Sequence, residues 1–257
     1  KLMLFFVIFV LSAVLIGVGT MLAPALPTEQ PRIGLASSLT LMFIVTGGIL
    51  WTQLVAWDTL VIDYLLFGSV SLVVLGGTMM QAQDTHDDDD PQPIEWLSRT
   101  DFLLLSGIGI LCALSPLTPF FPQVNEMITI QSGDTITDLP NFGIKAHTVL
   151  SAYLSEQLRQ DSLLVQQAII SVMTFLLIFT AYDLGTEIKS TQLGRIFALG
   201  TLLILCALLI ALPTLSQFLI SLLLHLMQVL FIVRYIKHRQ LFDGIAFAIL
   251  VSIAFLL

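Results

Sequence analysis

The chain is 257 residues long, 56% hydrophobic and 11% charged, with a formal net charge of −8. Soluble domains carry about 25% charged and about 45–50% apolar residues, so a mean hydropathy of +0.95 excludes a water-solvated globule and requires a membrane protein. Disorder and coiled coil are excluded as well, since both need charge or heptad periodicity. The Lys and Arg residues, scattered between apolar spans, form no basic stripe for nucleic acid.

A hydrocarbon core about 30 Å thick needs roughly 20 apolar residues per helix. The apolar runs are continuous, where barrel strands would alternate over about ten residues, so the expected fold is an all-α, polytopic transmembrane bundle. Eight spans are predicted: Leu2–Ala23, Leu35–Leu54, Thr59–Met80, Phe102–Phe121, Ser162–Tyr182, Ile196–Leu212, Thr214–Val233 and Phe242–Leu257. The first exceeds the 7–15 residues of a signal-peptide apolar region and reads as a retained helix. Cys112 and Cys206 fall inside spans and read as small core residues.

Between the third and fourth spans lies Asp84-Thr85-His86-Asp87-Asp88-Asp89-Asp90, followed by Glu95, which holds much of the negative charge. Glu95 is twelfth from Asp84, as in a calcium loop. Asp89 stands where that loop needs glycine, however, and Pro91 and Pro93 interrupt it, so a solvated linker is expected. After the fourth span, residues 122–161 form the main extramembrane segment. Within it, Phe142, Ala146, Val149, Leu150, Tyr153, Leu154 and Leu158 recur at helical spacing and predict an amphipathic helix over Asn141–Gln160, in the interface or on the bundle. Asp138, two residues before Pro140, suits its N-cap. The expected organisation is a four-helix part over 1–121, this outer loop, and a four-helix part over 162–257.

Basic loops stay in the cytoplasm. The loops after spans one, three, five and seven hold Arg32, Arg99, Lys189, Arg195, Arg234, Lys237 and Arg239, against Lys1, Lys145 and Arg159 on the other side. Both termini are therefore expected outside, in a bacterial-type inner (plasma) membrane.

Ionisable residues within the spans are few. Asp63, about one turn inside the third span, and His225, near the middle of the seventh, are the candidates for proton transfer, because an intramembrane charge is retained only for a partner or a function. A haem between helices needs paired axial ligands, and His86, His147 and His238 lie outside the spans; no metal or cofactor is expected. Gly47, Gly48, Gly68, Gly76 and Gly77 mark places where helices approach closely.

Two resemblances bear on function. Ala56-Trp57-Asp58 joining spans two and three, then Phe67-Gly68-Ser69-Val70 and Met79-Met80, together with the order of the first five spans, resemble the chain 6 type membrane subunit of respiratory complex I over residues 1–182. The family's glycine falls one position later. This resemblance implies a subunit of an energy-transducing complex associated with electron and proton transport. Over 102–182, a helix, the loop Thr137-Asp138-Leu139-Pro140-Asn141 and an interfacial helix resemble the first catalytic loop of GT-C glycosyltransferases that use lipid-linked sugars. That resemblance implies Asp138, and second Asp134, as the catalytic acidic residue, although three spans precede the loop here where the family has one.

The scarcity of intramembrane polar groups leads to the expected function: a non-catalytic subunit of a larger membrane assembly, structural or assisting proton transfer, contacting lipid and other membrane subunits. The glycosyltransferase is the first alternative and a small-solute transporter, with a polar cavity near His225 or Asp63, the second.

Overall fold

The computed structural model describes residues 2–22, 32–55, 57–65, 67–68, 71, 97–114, 139, 141–212 and 218–256. These are almost wholly helical: α1 Leu2–Leu22, α2 Ile33–Leu54, α3 Arg99–Leu114, α4 Phe142–Leu158, α5 Ser162–Ile188, α6 Thr191–Ala211, α7 Leu219–His238 and α8 Leu241–Leu256. Residues 59–65 form a further short helical stretch. The bundle is all-α and polytopic, as its apolar runs dictate.

The span count is corrected. Among the described residues, five helices are long and apolar enough to cross a membrane: Met3–Met21, Ile33–Leu54, Leu163–Ile188, Thr191–Ala211 and Leu219–His238. The described stretches of α3 and α8 have 16 residues each. Of the expected third span, residues 66, 69–70 and 72–80 lie outside the described residues, as does 115–121 of the fourth.

α5 is the axis of the bundle, packing against α1, α2, α3, α4, α6 and α7. Its sequence is apolar on every side, which suits a helix enclosed by others, and Val165, Ala168, Ile169, Met173, Leu176 and Ile178 are completely buried. α6 sits at the periphery, with Ile196, Leu203, Ile204 and Ile210 exposed, as expected for a helix wetted by lipid.

α5 and α6 meet through glycines. A Cβ at Gly185 would lie 2.7 Å from the Leu193 carbonyl oxygen and 2.8 Å from Gly194 Cα, so the backbones touch where side chains are missing. Gly47 and Gly48 serve the same end, facing Leu65 and Ile62 of the short helical stretch.

α4 lies against the bundle, one of the two positions expected for it. Phe142, Ala146, Val149, Leu150 and Leu154 are buried, and so are the polar residues Lys145, His147, Thr148 and Ser151. The helix packs into the bundle against α2, α5 and α7. Its N-cap is Asn141, whose side chain accepts from Ile144 N–H at 3.0 Å, which corrects the assignment of that role to Asp138.

Candidate functional site

Two helices run further than their apolar stretches, and the extra turns build the most highly charged site among the described residues. α5 continues past Tyr182 to Ile188 and brings in Asp183 and Glu187; α7 continues past Val233 to His238 and brings in Arg234, Lys237 and His238. Each set recurs at a spacing of three or four residues, so each lies on one helix face.

Glu187 is the hub. Its Oε1 lies 2.6 Å from His238 Nε2 and 3.5 Å from Lys237 Nζ, and its Oε2 lies 3.3 Å from Arg32 and 3.6 Å from Arg234. Lys237 Nζ also donates to the Glu187 carbonyl at 2.7 Å. Arg234 donates from Nε to Asp243 Oδ1 at 2.9 Å, in a pair whose side chains are 2% and 0% exposed. One carboxylate thus ties the start of α2 to the ends of α5 and α7, and Arg234 extends the tie to α8.

Asp183, one turn earlier and buried, accepts Leu35 N–H at 2.8 Å. Arg32, at the N-cap position of α2, provides no side-chain cap, so a carboxylate from α5 satisfies one of the free donors at that helix start. The approach depends on glycine: a Cβ at Gly34 would lie 2.8 Å from Asp183 Oδ2 and 2.9 Å from the Phe179 carbonyl oxygen. Buried Asp101 of α3 accepts from Arg195 Nε of α6 at 2.6 Å and from the Ser98 hydroxyl.

These contacts engage Arg32 before α2, Arg195 of α6, and Arg234 and Lys237 of α7. α1 and α2 are antiparallel, with Gly19 against Ser37. α7 and α8 are antiparallel too, joined by Arg234 to Asp243 and by Gln228 Nε2 to the Leu250 carbonyl at 2.9 Å. The described chain therefore starts and finishes at the end opposite Glu187.

That opposite end holds Asp63. It is half-buried and accepts from Tyr153 Oη at 2.7 Å and from Gln157 Nε2 at 2.9 and 3.2 Å, both on α4. Burial, reinforced by the Asp63 hydrogen bond and charge, pushes the Tyr153 hydroxyl well above the usual phenol range, which keeps it a donor. Further along α4, burial pushes His147 down to about 4, and its Nε2 has no partner among the described residues. Asp63 and His225 are not brought together. His225 lies on the exposed face of α7, and its Nδ1 donates to the Ser221 carbonyl of its own helix at 2.7 Å. Asp134 and Asp138 lie outside the described residues, as does the Asp84–Asp90 segment.

Between the two ends the interior is mainly apolar, with Ser171, Thr174 and the hydrogen-bonded pair Ser38 and Thr180 among its buried polar side chains. A groove of about 730 Å³ runs between α1, α3 and α5, lined mainly by side chains such as Phe5, Ile8, Leu105, Ile110 and Phe175. Among the described residues no group of three His, Cys, Asp or Glu side chains is placed to hold a metal ion. No protein-family model, curated protein or solved structure matches the chain.

From the sequence, Asp63 and His225 carried the weight; Arg234 served only to orient the bundle, and Asp101, Asp183, Glu187 and Asp243 were passed over. The available signal was the spacing: Asp183 and Glu187 are four residues apart, and so are Arg234 and His238. Two opposite charge pairs of that kind at the ends of apolar runs suggest facing helix ends.

Proposed function

We propose that the chain is a structural, non-catalytic subunit of a larger membrane assembly, seated in an inner (plasma) membrane with both termini outside. The observation that carries this reading is the stretch of α5 from Val165 to Phe179, mostly buried and without an ionisable side chain, between two ends where carboxylates are paired with cations or hydrogen-bond donors. A transporter or membrane enzyme working alone needs several polar side chains converging near mid-membrane, and the described ionisable residues do not converge there. Glu187, Arg32, Arg234 and Asp243 act as a clamp. Within this reading, proton transfer is limited to the Asp63 end, where Tyr153 and Gln157 leave a carboxylate in contact with two donors.

The experiment is extraction in mild detergent followed by identification of the proteins that remain bound. Stoichiometric membrane subunits, electron-transfer proteins among them, are expected. Recovery of a solitary chain that moves a solute in liposomes would overturn the reading in favour of a transporter; a solitary chain retaining a polyprenyl lipid would favour the glycosyltransferase.

A further inference from the structure

Basic residues around Glu187 extend to the surface. Arg32, 12% exposed, and buried Arg234 pair with Glu187 and Asp243. Lys237 reaches Glu187 with its ammonium while its side chain stays 47% exposed. Lys189 lies two residues beyond Glu187 and Arg239 two beyond Lys237, both exposed. Lys237 touches the Glu187 carbonyl, so the ends of α5 and α7 meet, and Lys189 and Arg239 directly follow those ends. Compensation of a helix C-terminus accounts for Lys237. It does not account for Lys189 and Arg239, whose side chains have no carboxylate within ion-pair distance among the described residues.

The apolar surface beside these helix ends identifies the ligand class. Ile188 is 45% exposed, Ile236 60% and Leu241 75%, so aliphatic side chains flank the cations. Arg239 stands 6.0 Å from the Tyr235 ring centroid, and tyrosine is favoured at the headgroup level of a bilayer. A free anion would use the cations alone. A ligand that uses both the cations and the aliphatic rim carries a phosphate above hydrocarbon chains.

We propose that Lys189, Lys237 and Arg239 form a binding site for the phosphate of an anionic phospholipid, whose acyl chains lie along Ile188, Ile236 and Leu241. Basic residues close to an anionic lipid surface contribute roughly fivefold each to affinity. Lys189→Gln with Arg239→Gln is thus expected to weaken binding about 30-fold, and it leaves every ion pair of the Glu187 network in place.

The test uses the purified full chain in an uncharged detergent, titrated separately with phosphatidylglycerol, phosphatidylcholine and inorganic phosphate, with bound lipid read by native mass spectrometry. Phosphatidylglycerol is expected to be retained and phosphatidylcholine lost, and the double variant is expected to shift half-saturation about 30-fold. Equal retention of the two lipids, or an unchanged titration in the double variant, overturns the proposal. Displacement of phosphatidylglycerol by an equal concentration of inorganic phosphate also overturns it, since the site would then take the free anion. If the double variant does not fold, Lys189→Gln alone is measured against an expected shift of about fivefold.

Discussion

Glu187→Gln removes the hub charge while keeping the side chain's shape, and its effect follows from which cations depend on it. Lys237 is 47% exposed and can turn to water, and Arg234 keeps Asp243 at 2.9 Å. Arg32 is different: its side chain is 12% exposed, and Glu187 at 3.3 Å is its ion-pair partner among the described residues. Breaking a buried pair from one side typically destabilises by about 3–5 kcal/mol. Arg234 retains a partner and Arg32 retains some water, so the expected loss lies at the lower end, about 3 kcal/mol. Lys237→Gln, by contrast, should change stability by less than about 1 kcal/mol. The assay is reversible denaturant unfolding in mixed micelles, extended to a double-mutant cycle of Glu187→Gln with Arg32→Gln, whose coupling should exceed about 1 kcal/mol. A Glu187→Gln variant within about 0.5 kcal/mol of the parent, together with zero coupling, would mean that these groups are independently solvated and that the clamp is not one.

Three further outcomes are expected. Gly185→Leu should separate α5 from α6 and lower the folded yield sharply, because its Cβ would meet backbone at 2.7–2.8 Å; Gly200→Ala, where nothing lies within 4 Å of the added Cβ, should be neutral or stabilising by up to about 1 kcal/mol. A limited digest reporting folded yield separates the two, and equal yields would refute the packing argument. Tyr153→Phe deletes the 2.7 Å bond to Asp63 and should cost about 1–2 kcal/mol, read by the same denaturant assay; no change would show that Gln157 alone suffices. His147 gives a pH signature. Its folded value of about 4 lies below the ordinary 6.5, so between those limits the unfolded chain holds a proton the folded chain lacks. Its contribution to stability is therefore full above pH 6.5 and declines as pH falls towards 4, by about 3 kcal/mol in all. Relative to His147→Gln, the parent's stability should fall on acidification over that window, and parallel pH profiles would refute it.

Helix existence was legible because hydropathy is a one-dimensional property: α1, α2, α6 and α8 fall within a few residues of their expected ranges. The ends of α5 and α7 were less so. A window that seeks apolar residues stops at Tyr182 and Val233, because Asp183 and Arg234 look like the first residues of a loop. Their burial depends on partners that sequence proximity does not reveal, Leu35 for one and Asp243 for the other. Four of the basic residues named from the sequence recur in ion pairs: Arg32, Arg234 and Lys237 with Glu187 of α5, and Arg195 of α6 with Asp101 of α3. In α4 the apolar stripe was visible, but the burial of Lys145 and His147 follows only from packing against α2, α5 and α7.

The carboxylate that caps α2 also bears on the order in which the chain is made. Leu35 N–H and Asp183 Oδ2 are 148 positions apart, and at about 5–20 residues per second a ribosome needs roughly 7–30 s to travel from one to the other. Throughout that interval α2 is already synthesised while its first amide groups lack their eventual acceptor, and Arg32 likewise waits for Glu187. The early helices therefore reach their final seating only after α5 has been delivered, which makes any pause or cleavage before residue 183 a point where insertion machinery, and not the chain itself, must hold the N-terminal half.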